Sequence, residues 1–183
     1  YDKKPIVRYT KGEFIIKYIN QQGQEDIWIV KTDGNGSKVW DRRFGGTSDD
    51  RLFNLHQKTN GNFLLFGQSQ SGTSGNKTIS NLGGWDYWLA EIDANGNKLS
   101  DKQFGGTSGD NGRKIISAPS GGHLLAGDSY SDSNGDKSEE SRGSADFWVI
   151  KLDANGNRNH YASDPDGDTL AWSITGGVDA SQF

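Results

Sequence analysis

Short apolar runs recur along the chain, and each run is continuous rather than alternating with polar residues. Residues 27–30, 63–66, 87–90 and 147–150 are apolar at every position. Gly or Asn brackets these runs, which are too short for typical helices and favour β-strands. A strand that is apolar on both faces must be covered on both faces. The pattern therefore predicts sheets that are stacked between other sheets.

The runs belong to a sixty-residue repeat. An Asp-x-Trp motif and a Phe-Gly-Gly-Thr-Ser motif mark it, the first at residues 26–28, 86–88 and 146–148, the second at 44–48 and 104–108. Segments 26–67 and 86–127 align without a gap and share 17 identities in 42 positions. Self-similarity at a fixed period defines a repeat architecture. We expect repeats over residues 1–157, with a partial unit at 1–25 and units that start at 26, 86 and 146.

Each unit reads as about four short strands. Asn-Gly pairs follow the Asp-x-Trp strands at residues 35–36, 95–96 and 155–156. Asn-Gly favours a two-residue type I′ hairpin turn, because both central residues of that turn need positive φ. Four strands per unit are typical of a β-propeller blade, whereas β-solenoid units are usually shorter. The expected fold class is all-β, a partial β-propeller of four-stranded blades.

Two sequence strings resemble a known repeat. DYWLAEIDANGNKLSDKQFGGTSGD at 86–110 and GGHLLAGDSYS at 121–131 resemble the β-propeller repeat of large secreted bacterial surface proteins, many of which are exported by the type IX route. The resemblance covers about residues 5–157. It implies a propeller, export and a surface role, and it brings no catalytic residues with it.

Residues 158–183 depart from the repeat. The second strand of the third hairpin and its Phe-Gly-Gly are replaced by DPDGDTLAWSITGG at 164–177. This string resembles a cadherin-like repeat of bacterial adhesins, in which an Asp-x-Asp-Gly-Asp turn precedes a strand. A sandwich of the immunoglobulin type needs about 100 residues, so the segment is a fragment of such a domain. We expect either a piece of a longer protein or a chain that completes its sheets with another chain.

The cadherin-like segment holds the first candidate Ca²⁺ site, formed by Asp164, Asp166 and Asp168. Closely spaced carboxylates supply the oxygen ligands that Ca²⁺ prefers, and the resemblance supports this interpretation. Ordinary turn chemistry of Asp-Pro-Asp-Gly is the alternative.

A second acidic loop contains Asp132, Asn134 and Asp136. Its spacing is like the start of an EF-hand loop, but Lys137 stands where that loop needs Gly. A solvated loop is therefore the alternative to Ca²⁺. The alternating oxygens of residues 93–97 need no metal, because the repeated hairpin explains them.

The tryptophans divide into repeated and unrepeated positions. Trp28, Trp88 and Trp148 share one repeat position and are expected to pack in the core. Trp40 and Trp85 are not repeated, which makes them candidates for stacking on a sugar ring.

Repeated aspartates are expected to serve the fold. Asp41, Asp50, Asp101 and Asp110 recur at sixty-residue spacing, and short acidic side chains readily accept hydrogen bonds from turn amides. A catalytic pair would be expected once rather than in every unit. No Ser-His-Asp arrangement, phosphate loop or HExxH motif is present.

Composition narrows the function classes. The net charge is −4 and basic residues are not clustered, which argues against nucleic acid as a partner. No run approaches the length of a membrane span, so membrane insertion is not expected. The 26 Gly residues and the absence of Cys fit a turn-rich β protein without disulfides.

These observations favour a non-catalytic, secreted or cell-surface adhesion or scaffold module that Ca²⁺ could stabilise. Its partners would be a surface glycan, a protein ligand or other chains of the same assembly. A carbohydrate-binding β-propeller is one alternative. A fragment of a secreted glycoside hydrolase is another, and it would need paired carboxylates about 5–10 Å apart.

Overall fold

The computed structural model describes residues 7–8, 14–21, 24–119 and 121–158, with side chains from residue 25 onward. The described chain is all-β, as predicted, and contains no helix, hence none that could cross a membrane. Its eleven strands are Val7–Arg8 (β1), Phe14–Gln21 (β2), Gln24–Thr32 (β3), Lys38–Phe44 (β4), Asp50–Gln57 (β5), Phe63–Ser69 (β6), Asp86–Ile92 (β7), Lys98–Phe104 (β8), Asp110–Ser117 (β9), His123–Ser129 (β10) and Asp146–Leu152 (β11).

The strands form three antiparallel sheets, and none of them is closed or curled. The first sheet contains β1–β4, the middle sheet β5–β8 and the third sheet β9–β11. The sequence repeat is out of phase with the sheets. The unit that starts at residue 26 supplies the last two strands of the first sheet and the first two strands of the middle sheet. Each Phe-Gly-Gly motif is therefore a crossover between neighbouring sheets.

The middle sheet is covered on both faces. On β7, Trp88, Ala90 and Ile92 pack with residues of the first sheet, whereas Tyr87 and Leu89 pack with residues of the third sheet. All seven residues of β6 are buried as well. The apolar runs of β6 and β7 thus have the two-sided cover that the sequence predicts, whereas in the run of β11 Phe147 and Val149 are exposed.

The Asn-Gly hairpins form, but their turns differ from the expected type. The Gly36 amide donates to the Asp33 carbonyl at 3.0 Å, so residues 34 and 35 are central and Gly36 follows them with φ of 83°. Asp33 Oδ1 also accepts the amides of Asn35 and Ser37, each at 2.9 Å. The predicted two-residue type I′ turn is wrong, because this aspartate holds a longer loop with a left-handed Gly after it.

The same arrangement recurs in the other two hairpins, at residues 93–97 and 153–157. Hydrogen bonds from the Asn97 side chain and amide lower the pKa of Asp93. The alternating oxygens at 93–97 therefore have a structural role, as expected.

Candidate functional site

Each crossover between sheets is held by a buried aspartate. Asp110 begins β9 and is fully buried; its Oδ2 accepts the Gly106 amide at 2.7 Å and the Ser131 hydroxyl at 2.9 Å. Ser131 Oγ in turn accepts the Ser108 amide at 3.1 Å. The same bonds occur sixty residues earlier, among Asp50, Gly46, Ser71 and Ser48. The prediction that these repeated aspartates bind turn backbone groups is confirmed.

The acidic loop with the second candidate Ca²⁺ site lies against the crossover. Asn134 Oδ1 accepts the Thr107 amide at 2.7 Å, and Asp136 Oδ2 accepts the Gly105 amide at 3.3 Å. Asp132 Oδ1 accepts the Ser141 amide at 3.2 Å. The three predicted ligands therefore have separate backbone partners.

The preceding repeat copy makes the corresponding bonds without any carboxylate. Ser74 Oγ accepts the Thr47 amide and Asn76 Oδ1 accepts the Gly45 amide, each at 3.0 Å. Within the described residues, no three His, Cys, Asp or Glu side chains are grouped so that they could hold a metal ion. Asp164, Asp166 and Asp168 lie outside the described residues, so their Ca²⁺ site stays a prediction.

Asp86 is a second buried carboxylate beside a crossover. Its Oδ2 accepts the Leu82 amide at 2.7 Å and a hydrogen bond from Gln103 Nε2. Burial raises the pKa of Asp86 to about 6. A Cβ on Gly105 would lie 2.0 Å from Asp86 Oδ1 and 3.0 Å from Asp110 Oδ2. The Gly therefore allows two buried carboxylates from neighbouring sheets to approach the same stretch of backbone.

The fourth strand of the middle sheet completes this polar network. Trp88 Nε1 donates to Asp101 Oδ2 at 3.2 Å, and the Thr78 amide donates to the same oxygen at 2.9 Å. Lys77 Nζ donates to Gln103 Oε1, and burial lowers the pKa of Lys77. Sequence reasoning missed Lys77 and Gln103, although the recurrence of the lysine as Lys137 was a usable signal.

The two unrepeated tryptophans differ in accessibility. Trp40 is only 8% exposed, and its Nε1 donates to the Ala94 carbonyl at 3.0 Å. Trp85 is half-buried, with the Arg51 guanidinium 4.8 Å from its ring centroid. Trp40 therefore offers little ring surface for sugar stacking, and Trp85 has one ring face taken by an arginine.

The repeated tryptophans are expected to pack in the core, and they differ in how far they are buried. Trp88 is buried between the first and middle sheets. Trp148 is partly buried against the apolar residues between the middle and third sheets, with its ring centroid 4.9 Å from that of Tyr87. Trp28 is half-buried, and its Nε1 donates to Asp41 at 3.1 Å.

An open groove lies beside β11 in the third sheet. It has a volume of about 520 Å³ and is lined in part by Lys137, Ser138, Asp146, Phe147 and Trp148. These residues stand sixty positions after Lys77, Thr78, Asp86, Tyr87 and Trp88. Most of those earlier residues are in contact with β8. The groove beside β11 thus occupies the position that β8, the fourth strand, takes beside β7 in the middle sheet.

The fold and these networks define an all-β protein of stacked, repeated sheets. No family model matches the chain. The chain is similar to the regulatory protein FlaEY of Caulobacter vibrioides, with 28% identity over 95 residues. This match covers 50% of the chain and 10% of that protein, so the chain corresponds to a small part of the relative.

Proposed function

We propose that the chain is a non-catalytic adhesion or scaffold module, built from propeller-type repeats of a secreted or cell-surface protein. The observation that carries the proposal is the equivalence of the two crossovers. Asp50 and Asp110, with their serine partners, make the same hydrogen bonds in both copies. Polar side chains that recur in this way serve the architecture, which leaves outer surfaces and loops to bind partners.

The burial of the repeated carboxylates argues against a glycoside hydrolase. Asp50, Asp86 and Asp110 are each fully buried. Hydrolysis requires two carboxylates that flank the glycosidic bond of a bound sugar. Carboxylates enclosed between sheets do not meet that requirement.

Two further observations support a propeller-type module. Sheets stacked face to face, each joined to the next by a short crossover, are the arrangement of neighbouring propeller blades. The resemblance to repeats of exported surface proteins supports the location. The relative's name describes a regulatory protein, and a module that works by binding would suit such a protein as well.

An adhesion assay and a hydrolysis assay together test this function. Beads coated with the chain should adhere to bacterial cells more than beads coated with an unrelated protein of similar charge. Chromogenic glycosides should not be hydrolysed. The proposal is contradicted if adhesion equals the control, or if glycoside turnover is found that Asp86→Asn or Asp110→Asn abolishes.

Calcium stabilisation through Asp164, Asp166 and Asp168 is part of the proposal, and it rests on the cadherin-like resemblance. Calorimetric titration with CaCl₂ should show binding, and chelator should lower the melting temperature. A double substitution, Asp164→Asn with Asp166→Asn, should abolish both effects, whereas Asp132→Asn should leave them. Unchanged melting in chelator would remove Ca²⁺ from the proposal.

Carbohydrate binding is the second candidate, and the observation that favours it is that Trp85 is only partly buried. Aromatic rings present apolar faces on which other rings stack. Hits on a glycan array that Trp85→Ala removes and Trp40→Phe retains would support this candidate. An array without hits would reject it.

A further inference from the structure

We infer that the outer edge of β11 is a docking site for a β-strand from another polypeptide. The strand would be of the type found in β4 and β8, with an Asp followed two residues later by Gln or Arg and then by Phe-Gly-Gly. This inference rests on the edge itself, so it stands or falls separately from the cell-surface role proposed above.

Both sheets that contain a fourth strand hold it in the same way. Trp88 pairs with Gln103 in the register of β7 and β8, and Trp28 pairs with Arg43 in that of β3 and β4. In each sheet the indole nitrogen donates to an aspartate of the fourth strand, at 3.2 Å for Asp101 and at 3.1 Å for its equivalent in the first sheet. The hydrogen bond between this indole and the aspartate of the fourth strand is therefore repeated in the two sheets.

The second residue of the pair is recognised in both sheets as well. Gln103 binds the buried Asp86, and Arg43 Nε lies 3.5 Å from Asp26 Oδ2. Asp26 and Asp86 occupy the same repeat position, at the start of the Asp-x-Trp motif. A donor two residues after the strand's aspartate therefore pairs with this carboxylate each time.

Strand β11 presents the same receptor groups, and within the described residues no fourth strand lies beside them. Asp146 and Trp148 occupy the Asp-x-Trp positions, and Lys137 occupies the position of Lys77. Among the described residues, only the isolated bridge between Leu152 and Arg158 pairs with this edge. No described group accepts a hydrogen bond from Trp148 Nε1. The edge thus offers the donors and the carboxylate that such a strand would use.

The volume of the groove and the charges that line it also favour a strand of this type. The groove beside β11 has a volume of about 520 Å³, enough for several side chains. Lys137 Nζ lies 3.8 Å from Asp146 Oδ2, and the Asp146 side chain is 31% exposed. An incoming Asp would accept from the indole, and an incoming Gln would bridge the lysine and the carboxylate. Strand addition to a free edge supplies backbone hydrogen bonds, and side-chain pockets supply the specificity.

The chain's own following residues lack this chemistry. Tyr161 and Ser163 stand sixty positions after Asp101 and Gln103. A tyrosine has one hydroxyl oxygen at the end of a bulky ring, so it does not match the short, two-oxygen carboxylate that accepts from the indole and from the amide of the preceding loop. A serine is too short to reach both the lysine and the carboxylate. Residues 159–164 therefore lack the side chains of the matching strand, which we assign to another polypeptide.

A synthetic peptide from the chain itself tests the inference. The probe is KLSDKQFGGT, which has the sequence of residues 98–107, titrated calorimetrically into the full chain. We expect saturable binding of one peptide per chain. Replacing the peptide residues that correspond to Asp101 and Gln103 by Ala should weaken binding at least tenfold, because hydrogen bonds to charged groups are lost. These peptide changes leave the protein untouched, so misfolding cannot explain a difference.

Protein variants locate the binding site. Trp148→Phe removes the indole donor and should weaken peptide binding about tenfold. Trp85→Phe is the matched control and should bind the peptide like the unsubstituted chain. In hydrogen exchange, the backbone amides on the outer edge of β11 should gain protection only when the peptide is added.

Four results would overturn the inference. The first is absence of binding at millimolar peptide, and the second is equal affinity for the Ala-substituted peptide. The third is protection of the β11 edge amides before peptide is added, which would assign the edge to the chain's own residues 159–164. The fourth is self-association that excludes the peptide, because a second copy would then cover the edge through contacts other than a strand of this type.

Discussion

The middle and third sheets contain the same Asp-x-Trp strand in two different environments. In β7, Tyr87 is 0% exposed and Leu89 is 4% exposed, whereas in β11 the equivalent Phe147 is 96% exposed and Val149 is 57% exposed. The two strands share their motif and their register with the neighbouring strand. Both strands therefore carry apolar side chains on both faces. The neighbouring sheets determine whether those faces are buried.

The crossovers do not differ in this way. The bonds around Asp50 and Asp110 are alike to within 0.2 Å in the two copies. Each crossover is completed by the sheet that it enters and by the loop after that sheet's second strand. The hydrogen bonds of a crossover thus depend only on the residues near it. The burial of a sheet's outer face depends instead on whether another sheet packs against it.

The largest expected effect is the difference in stability loss between truncating Tyr87 and truncating its equivalent, Phe147. Tyr87→Ala should lower the free energy of unfolding by about 4 kcal/mol, because it leaves a cavity between the middle and third sheets and removes the bond from its hydroxyl to the Trp148 carbonyl. Phe147→Ala should change it by less than about 0.5 kcal/mol. Urea denaturation of both variants measures the difference. Similar losses would mean that the face of Phe147 is covered in solution.

A tight contact between these two sheets gives the next effect. Gly112 of β9 faces the backbone of β6, and a Cβ there would lie 2.3 Å from the Gly67 carbonyl oxygen. Gly112→Ala should therefore cost about 3 kcal/mol, because backbone cannot move aside as a side chain can. Gly109→Ala is the control, since its Cβ would meet nothing closer than 4.0 Å. Thermal unfolding of the two variants should separate them clearly, and equal melting temperatures would contradict the close packing.

Sequence periodicity could predict the strands, the hairpins and the two-sided cover of the middle sheet, because these follow from apolar runs and turn residues. It could also predict that Asp50 and Asp110 serve the fold, because they recur. It could not predict that Trp40 is buried, since the cover comes from the 93–96 turn of another sheet. Nor could it predict which strands of a repeat unit belong to the same sheet, because a sixty-residue period does not reveal at which residue a sheet begins.

The buried carboxylate of Asp86 predicts a dependence of stability on pH. Its folded pKa of about 6 lies above the ordinary 3.8, so the folded state holds the proton more tightly than the unfolded state. This stabilisation is fully present below pH 4 and is lost as the pH rises through 6. It amounts to about 3 kcal/mol.

Asp86→Asn should flatten the dependence between pH 4 and pH 6, as measured by urea denaturation at several pH values. Asp146→Asn is the matched control in the third sheet. It retains Asp86 and should keep the slope. A slope that persists unchanged in Asp86→Asn would show that other groups cause it, such as Asp26 and Asp50, whose pKa values burial also raises.

The smallest effect tests the feature that the two sheets share. Ser71 and Ser131 each accept a crossover amide and donate to a buried aspartate. Ser71→Ala and Ser131→Ala should each cost about 1 kcal/mol, because each removes hydrogen bonds from a buried network. The two losses should agree within about 0.5 kcal/mol in urea denaturation, although one sheet is covered on both faces and the other is not. A much smaller loss for Ser131→Ala would mean that the crossover also depends on stacking, which would contradict its local determination.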